Sequence, residues 1–266
     1  MFATLTVLGA GSILPRAGYG CSGYALRARP GGAVTLLDCG PGSIRALAGA
    51  GIALAEVRRV VLSHYHLDHC LDLFALAFAR HSPRLAGTLA EIELVGPRGL
   101  RARLEGAPAL LGHWAAMPGG VVREVEPGEE LERDGLAWRS VANGHTPEAL
   151  SWRVESAAER WSLVYTGDTP EDARVAELAR GAETLLAECS FPEEEAVPNH
   201  LTPSAAARLA RAAGVGRLIL THFYPSMDPP EARARAARVF AGPIELAHDG
   251  RAFELDAGAA RTPAAP

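Results

Sequence analysis

Within six residues, His64-Tyr65-His66-Leu67-Asp68-His69, the chain gathers three imidazoles and a carboxylate. These are the donors that borderline divalent ions such as zinc prefer. The run follows the apolar segment 57–62, which reads as a buried strand. On a turn leaving that strand, His64 and His66 can face one side while Asp68 and His69 face another, so one loop can serve two ions. The plain alternative is a histidine-rich surface loop with no ligand role. The rest of the chain weighs against it, because further donors follow in order. His145 stands in Asn143-Gly144-His145-Thr146 after the strand-like segment 136–141. Asp168 stands in Tyr165-Thr166-Gly167-Asp168-Thr169 after 161–164, and His222 in Leu220-Thr221-His222-Phe223 after 217–220. Each closes a predicted strand among small residues.

This constellation resembles the metallo-β-lactamase superfamily over nearly the whole chain. Asp38, after the strand-like 34–37, resembles the family's first motif and the run from His64 to His69 its second. His145, Asp168 and His222 resemble the third, fourth and fifth. The resemblance implies a four-layer αββα sandwich of the α/β class. It also implies two divalent metal ions, one on His64, His66 and His145 and another on Asp68, His69 and His222, bridged by Asp168. Zinc is the default for this donor set, and manganese or iron also fit. Asp38 is expected to accept a hydrogen bond from a ligand imidazole and fix its tautomer; the alternative is a helix N-cap for the segment after Gly42. Family members that hydrolyse β-lactams usually carry cysteine at the fourth motif, where this chain has Asp168. That departure points to the phosphodiesterase branch.

Two further matches narrow the branch. Leu186-Ala187-Glu188-Cys189-Ser190-Phe191 and His200-Leu201-Thr202 resemble segments of ribonuclease Z-like enzymes. There the histidine protonates the leaving group and the glutamate orients it, so the resemblance makes His200 the general acid and Glu188 its partner. A departing alkoxide needs a proton, and an imidazole can give one near neutral pH. The alternative for His200 is a neighbour of the N-cap of the next helix. Ribonuclease Z grips transfer RNA with an arm between the third and fourth motifs, but here only 146–167 separate them. The expected substrate is therefore a small cyclic phosphate, cyclic nucleotide or short oligonucleotide. Ribonuclease Z-like cleavage at transfer RNA 3′ ends comes second. Hydrolysis of a lactone, thioester or β-lactam on the same site is a third reading, one that needs His200 and Glu188 less.

Composition bounds these readings. Of 266 residues, 48% are hydrophobic, enough for one large core, and the formal charge is −5. All 26 basic residues are arginine. Mild acidity gives no support for a broad nucleic-acid-binding face. Cys21, Cys39, Cys70 and Cys189 show no CxxC spacing and read as reduced thiols. With no signal peptide and no apolar run of membrane-spanning length, a cytoplasmic protein is expected, with a homodimer favoured by likeness to relatives. The whole of 1–266 is expected to form a single domain, with 257–266 a frayed tail.

The positioning elements follow from periodicity and turn residues. Strands are expected at 3–8, 23–28, 33–37, 57–62, 91–95, 120–125, 136–141, 149–154 and 161–165, with a helix at 43–50, a buried helix at 70–79 and a weaker one at 99–111. The second half alternates: helix 170–180, strand 184–188, helix 203–213, strand 217–220, helix 230–240, strand 244–247. The turn Gly9-Ala10-Gly11-Ser12 is expected at the rim of the site. The loop 191–200, with Glu193-Glu194-Glu195, is expected to be exposed and solvated. His81 and His113 are expected on the surface, and His248 in a structural hydrogen bond.

Overall fold

In a computed structural model describing residues 3–85 and 88–255, strands and crossover helices alternate much as the apolar pattern predicts. The first part comprises β1 (Ala3–Gly9), β2 (Gly23–Arg27), β3 (Val34–Cys39), α1 (Ser43–Gly49) and β4 (Val57–Val61). It continues with α2 (Leu67–Cys70), α3 (Asp72–Arg80), β5 (Ile92–Pro97), α4 (Leu100–Leu111) and β6 (Gly120–Val125). Then come β7 (Glu130–Arg133), β8 (Leu136–Ala142), β9 (Leu150–Ser156), β10 (Trp161–Tyr165) and α5 (Ala173–Leu178). The chain closes with β11 (Thr184–Glu188), α6 (Pro203–Ala213), β12 (Arg217–Thr221), α7 (Pro229–Ala236), β13 (Ile244–Leu246) and β14 (Ala252–Leu255).

These elements fall into two compact units, one of Ala3–Glu126 with His248–Phe253 and one of Pro127–Ala247 with Glu254 and Leu255. Each holds a seven-stranded sheet, in the orders β14-β1-β2-β3-β4-β5-β6 and β13-β12-β11-β10-β9-β8-β7. Both sheets are mixed in the same way. An antiparallel meander, β1-β2-β3 or β7-β8-β9-β10, passes into parallel strands joined through helices. The parallel strands β3, β10, β11 and β12 are buried along their whole length, as covered parallel sheets require. Chemistry collects where such strands end and the crossover begins, because the chain must turn there and expose side chains. Asp38, Asp168, Glu188 and His222 all lie at or just past those carboxyl ends.

Several boundaries differ from expectation, each for a local reason. The helix expected at 70–79 starts earlier, as α2 at Leu67, so Asp68 and His69 stand on helical backbone rather than on a turn. The helix expected at 170–180 shrinks to Ala173–Leu178, its first turn capped by the Asp172 carboxylate on the Arg174 amide. Strands β7 and β14 went unpredicted. They are four residues each, at sheet edges, too short for an alternating pattern to stand out. The stretch 257–266 lies outside the described residues.

Candidate metal and hydrolytic site

In the first unit, Asp38 organises the histidines. It closes β3 in the left-handed region, φ 54°, a conformation aspartate tolerates better than most side chains. Fully buried, it accepts at Oδ1 from the Ser63 amide (2.7 Å) and at Oδ2 from Ser63 Oγ (2.7 Å) and His69 Nδ1 (2.6 Å). Ser63 Oγ in turn lies 2.9 Å from His64 Nδ1. With the serine proton spent on the carboxylate, its oxygen accepts from His64 Nδ1–H. One carboxylate thus fixes the tautomers of His69 directly and His64 through Ser63, and directs the Nε2 lone pair of each ring outward. Ligand atoms of Asp38, His64 and His69 lie within 4.8 Å of one another. The His66 ring is 4.6 Å from that of His64 and is exposed at the lip of the loop. Asp68, buried at the start of α2, accepts from the Ile13 amide at 3.1 Å, which joins the glycine turn to the cluster. That turn is held from behind by Asp249, which accepts from the amides of Ala10 (3.1 Å) and Gly20 (2.8 Å). Gly40 admits this packing because a Cβ there would meet the Asp68 carbonyl at 1.9 Å.

In the second unit, three imidazoles converge on Asp168. Its Oδ2 is 3.2 Å from His222 Nε2, 3.8 Å from His145 Nε2 and 3.9 Å from His200 Nδ1. The loop carrying it is shaped by Asn143, whose Nδ2 donates to the carbonyls of Thr166 (3.0 Å) and Asp168 (2.9 Å) while Oδ1 receives the His145 amide. His145 Nδ1 donates to the Asn199 carbonyl at 2.9 Å, again leaving Nε2 for a ligand. Burial, opposed by Asp168, lowers the His145 pKa, so its ring stays neutral and can donate a lone pair. His222 adopts φ 57° immediately after β12, an uncommon conformation for histidine that turns its ring toward Asp168.

Beside this group, His200 Nδ1 sits 3.1 Å from both oxygens of Glu188. Glu188 is buried and also accepts from the Thr169 amide (2.7 Å) and Ser190 Oγ. Phe191 stacks on Tyr224 at 4.4 Å, and both rings meet His200 edge-on.

The helix-cap alternative at Asp38 is not what the geometry shows, because the amide of Ile44, at the start of α1, bonds Asp72 rather than Asp38. Thr202 caps α6, so His200 does stand two residues before that cap, in addition to its contact with Glu188. His113 is exposed, His81 bonds the Ala116 carbonyl and His248 its neighbour's carbonyl. All four cysteines are free thiols, and burial raises Cys21 and Cys70 to about 11, so none is primed as a thiolate. Ser63, Asn143, Ser190 and Asn199 escaped the sequence reading. Each lies within two residues of a candidate side chain, but only coordinates reveal which atom it holds.

The donor set fits divalent ions: imidazoles with one nitrogen committed to a protein acceptor, and carboxylates among them. Asp38→Asn is expected to lower metal affinity roughly 10- to 100-fold. An amide oxygen cannot reproduce a carboxylate that receives three donors, so the His69 and His64 tautomers are no longer fixed. Competition against a colorimetric chelator measures this, and wild-type affinity in Asp38→Asn would contradict it.

Imidazoles and carboxylates gathered at strand carboxyl ends suit a metal-dependent hydrolase, and comparison with known proteins places the chain in that class. It belongs to the β-lactamase superfamily, whose domain model matches residues 35–223. Ribonuclease Z of Mycolicibacterium paratuberculosis is 32% identical to it, over 95% of this chain and 98% of that protein. Among solved structures, the metallo-β-lactamase fold protein YhfI from Bacillus subtilis is similar at TM-score 0.83 and 24% identity, covering 96% of this chain and all of that one. Human tRNase Z, short form, is similar at TM-score 0.75 and 22% identity, over 94% and 98%. The α/β class and the family expected from the motifs are therefore established, and with them a hydrolase. No helix among the described residues is long and apolar enough to cross a membrane.

Proposed function

We propose that this hydrolase cleaves small phosphodiesters: a cyclic phosphate, a cyclic nucleotide or a short oligonucleotide. The observation that carries this reading is the pair of buried Glu188 and half-buried His200 at the edge of the Asp168 cluster. An acyl substrate has less use for such a proton donor, whereas a phosphodiester's alkoxide leaves poorly without one. In this reading His64, His66 and His145 would hold one divalent ion and Asp68, His69 and His222 another, with Asp168 available to both. When bound, such ions supply Lewis-acid stabilisation of phosphate charge and a water acidified to near neutral pKa.

The chain's own residues do the rest. Asp38 and Ser63 keep His69 and His64 in the tautomers that present Nε2, and Asn199 does so for His145. The Glu188 carboxylate on Nδ1 stabilises the doubly protonated His200 ring, so Nε2 carries the proton that the leaving oxygen takes. After transfer the ring is neutral, and Nδ1–H still points at Glu188.

Small size is supported by the region between His145 and Asp168, where a hairpin of β9 and β10 accounts for most of the residues. The alignment to the mycobacterial relative runs to 279 positions while covering 95% of this 266-residue chain. That relative therefore carries residues which this chain lacks. The second reading, ribonuclease Z-like cleavage at the 3′ side of transfer RNA, is favoured by that relative's name and near-complete coverage.

A panel of bis-p-nitrophenyl phosphate, 2′,3′-cyclic AMP, a lactone, nitrocefin and a precursor transfer RNA separates the classes. Diester turnover is expected, abolished by a chelator and restored by zinc, manganese or iron. Fast lactone turnover with none on any diester would overturn the proposal, and efficient precursor cleavage with none on small diesters would move it to the second reading.

A further inference from the structure

The loop 191–200 is largely exposed, as its sequence implies, but Glu193 in its acidic run is half-buried and fastened to the helices that follow. Glu193 Oε1 accepts from the Ser204 amide (3.0 Å) and Oγ (2.7 Å) at the start of α6, and its Oε2 meets Arg235 Nη1 of α7 at 2.6 Å. Arg235 also holds Glu194 at 2.7 Å and Glu231 one turn back on its own helix. Although burial pushes upward, the bonds from Arg235 and Ser204 bring the Glu193 pKa down to about 2. The loop so fastened ends in Asn199, whose carbonyl takes Nδ1 of His145, and His200, which reaches Glu188. At its base the Ser190 amide bonds the Leu201 carbonyl. Between base and tip, the described side-chain bonds from this loop to the following helices run through Glu193 and Glu194.

We propose that the Glu193–Arg235–Ser204 clasp is a positioning device for the reaction, holding loop 191–200 so that Asn199 sets the His145 tautomer and His200 stays on Glu188. This deepens the phosphodiesterase reading and rests on it for its kinetic arm only. Glu193 and Arg235 touch no reacting atom, and they act through the loop.

The test compares Arg235→Met, Arg235→Lys and Glu193→Gln with Arg208→Met. The last cuts the exposed Arg208–Glu171 pair on α6 and leaves the loop's bonds intact. On 2′,3′-cyclic AMP, Arg235→Met is expected to lower kcat about tenfold with KM changed less than twofold, the size of a mispositioned proton donor. Arg235→Lys should recover most of the loss, and Arg208→Met should show none. Independently of turnover, the 15N shifts of the His145 imidazole should show mixed tautomers in Arg235→Met and Glu193→Gln, but a single tautomer in wild type and Arg208→Met. Should Arg235→Met fail to fold, Glu193→Gln carries the test, because it keeps the side chain's size and its bond with Ser204. If the clasp variants lose melting temperature yet keep kcat and a single His145 tautomer, the pair is merely structural and the proposal falls. If wild type cleaves no diester, the functional reading fails, while the imidazole shifts still decide the clasp.

Discussion

Asp168→Ala is expected to bring diester turnover down by more than about a thousandfold while the metal-free protein remains folded. Asp168 is 2% exposed, and three imidazole nitrogens lie within 3.9 Å of one of its oxygens. A buried carboxylate beside the neutral His145 ring is costly unless positive charge stands close by to offset its lost hydration. Its presence therefore serves a bound ion better than it serves the fold. The loop itself does not depend on the side chain, since Asn143 grips the Asp168 carbonyl and the Thr166 carbonyl before it. Metal-free Asp168→Ala should accordingly melt within a few degrees of wild type, whereas its metal content after dialysis should fall. Asp168→Asn, of equal size but uncharged, should be as inactive as alanine, because charge rather than volume is what the imidazoles and their ion require. Near-wild-type turnover in either variant, with full metal content, would defeat the assignment of a shared ligand.

What the sequence could say about this site follows from which forces act locally. Residues 60–62 and 218–220 are uninterrupted apolar runs inside segments with charged residues at their starts, so burial reveals strands there, and a polar residue just past the end stands out as a candidate. That is why His64, Asp168 and His222 could be picked without coordinates. The residues that aim them could not. Ser63 acts through two lone pairs and one proton, and Asn199 through a main-chain carbonyl that any residue type possesses. Left-handed backbone at Asp38 and His222 has no signature in residue types that are not glycine. The ion pair of Glu193 with Arg235 spans 42 positions, so the acidic run taken alone predicts solvation. The fold fared similarly. Long buried strands were legible, and the edge strands β7 and β14, whose four residues are too few to show a period, were not.

His200→Ala separates proton donation from mere placement, and the leaving group supplies the contrast. Toward an aliphatic alkoxide, as in a cyclic nucleotide, loss of the imidazole should cost roughly 100- to 10,000-fold in kcat. Toward bis-p-nitrophenyl phosphate the cost should be several-fold at most, because nitrophenolate departs as a stable anion without a proton. A structural contribution of His200, through its edge contacts with Phe191 and Tyr224 at 5.6 and 6.1 Å, would slow both substrates alike. Glu188→Gln should fall between wild type and His200→Ala on the cyclic nucleotide, since a neutral amide still orients Nδ1–H but no longer stabilises the charged ring. Equal losses on the two substrates would remove His200 from proton transfer and return the lactone and thioester readings to contention, for those reactions need the Glu188–His200 pair least.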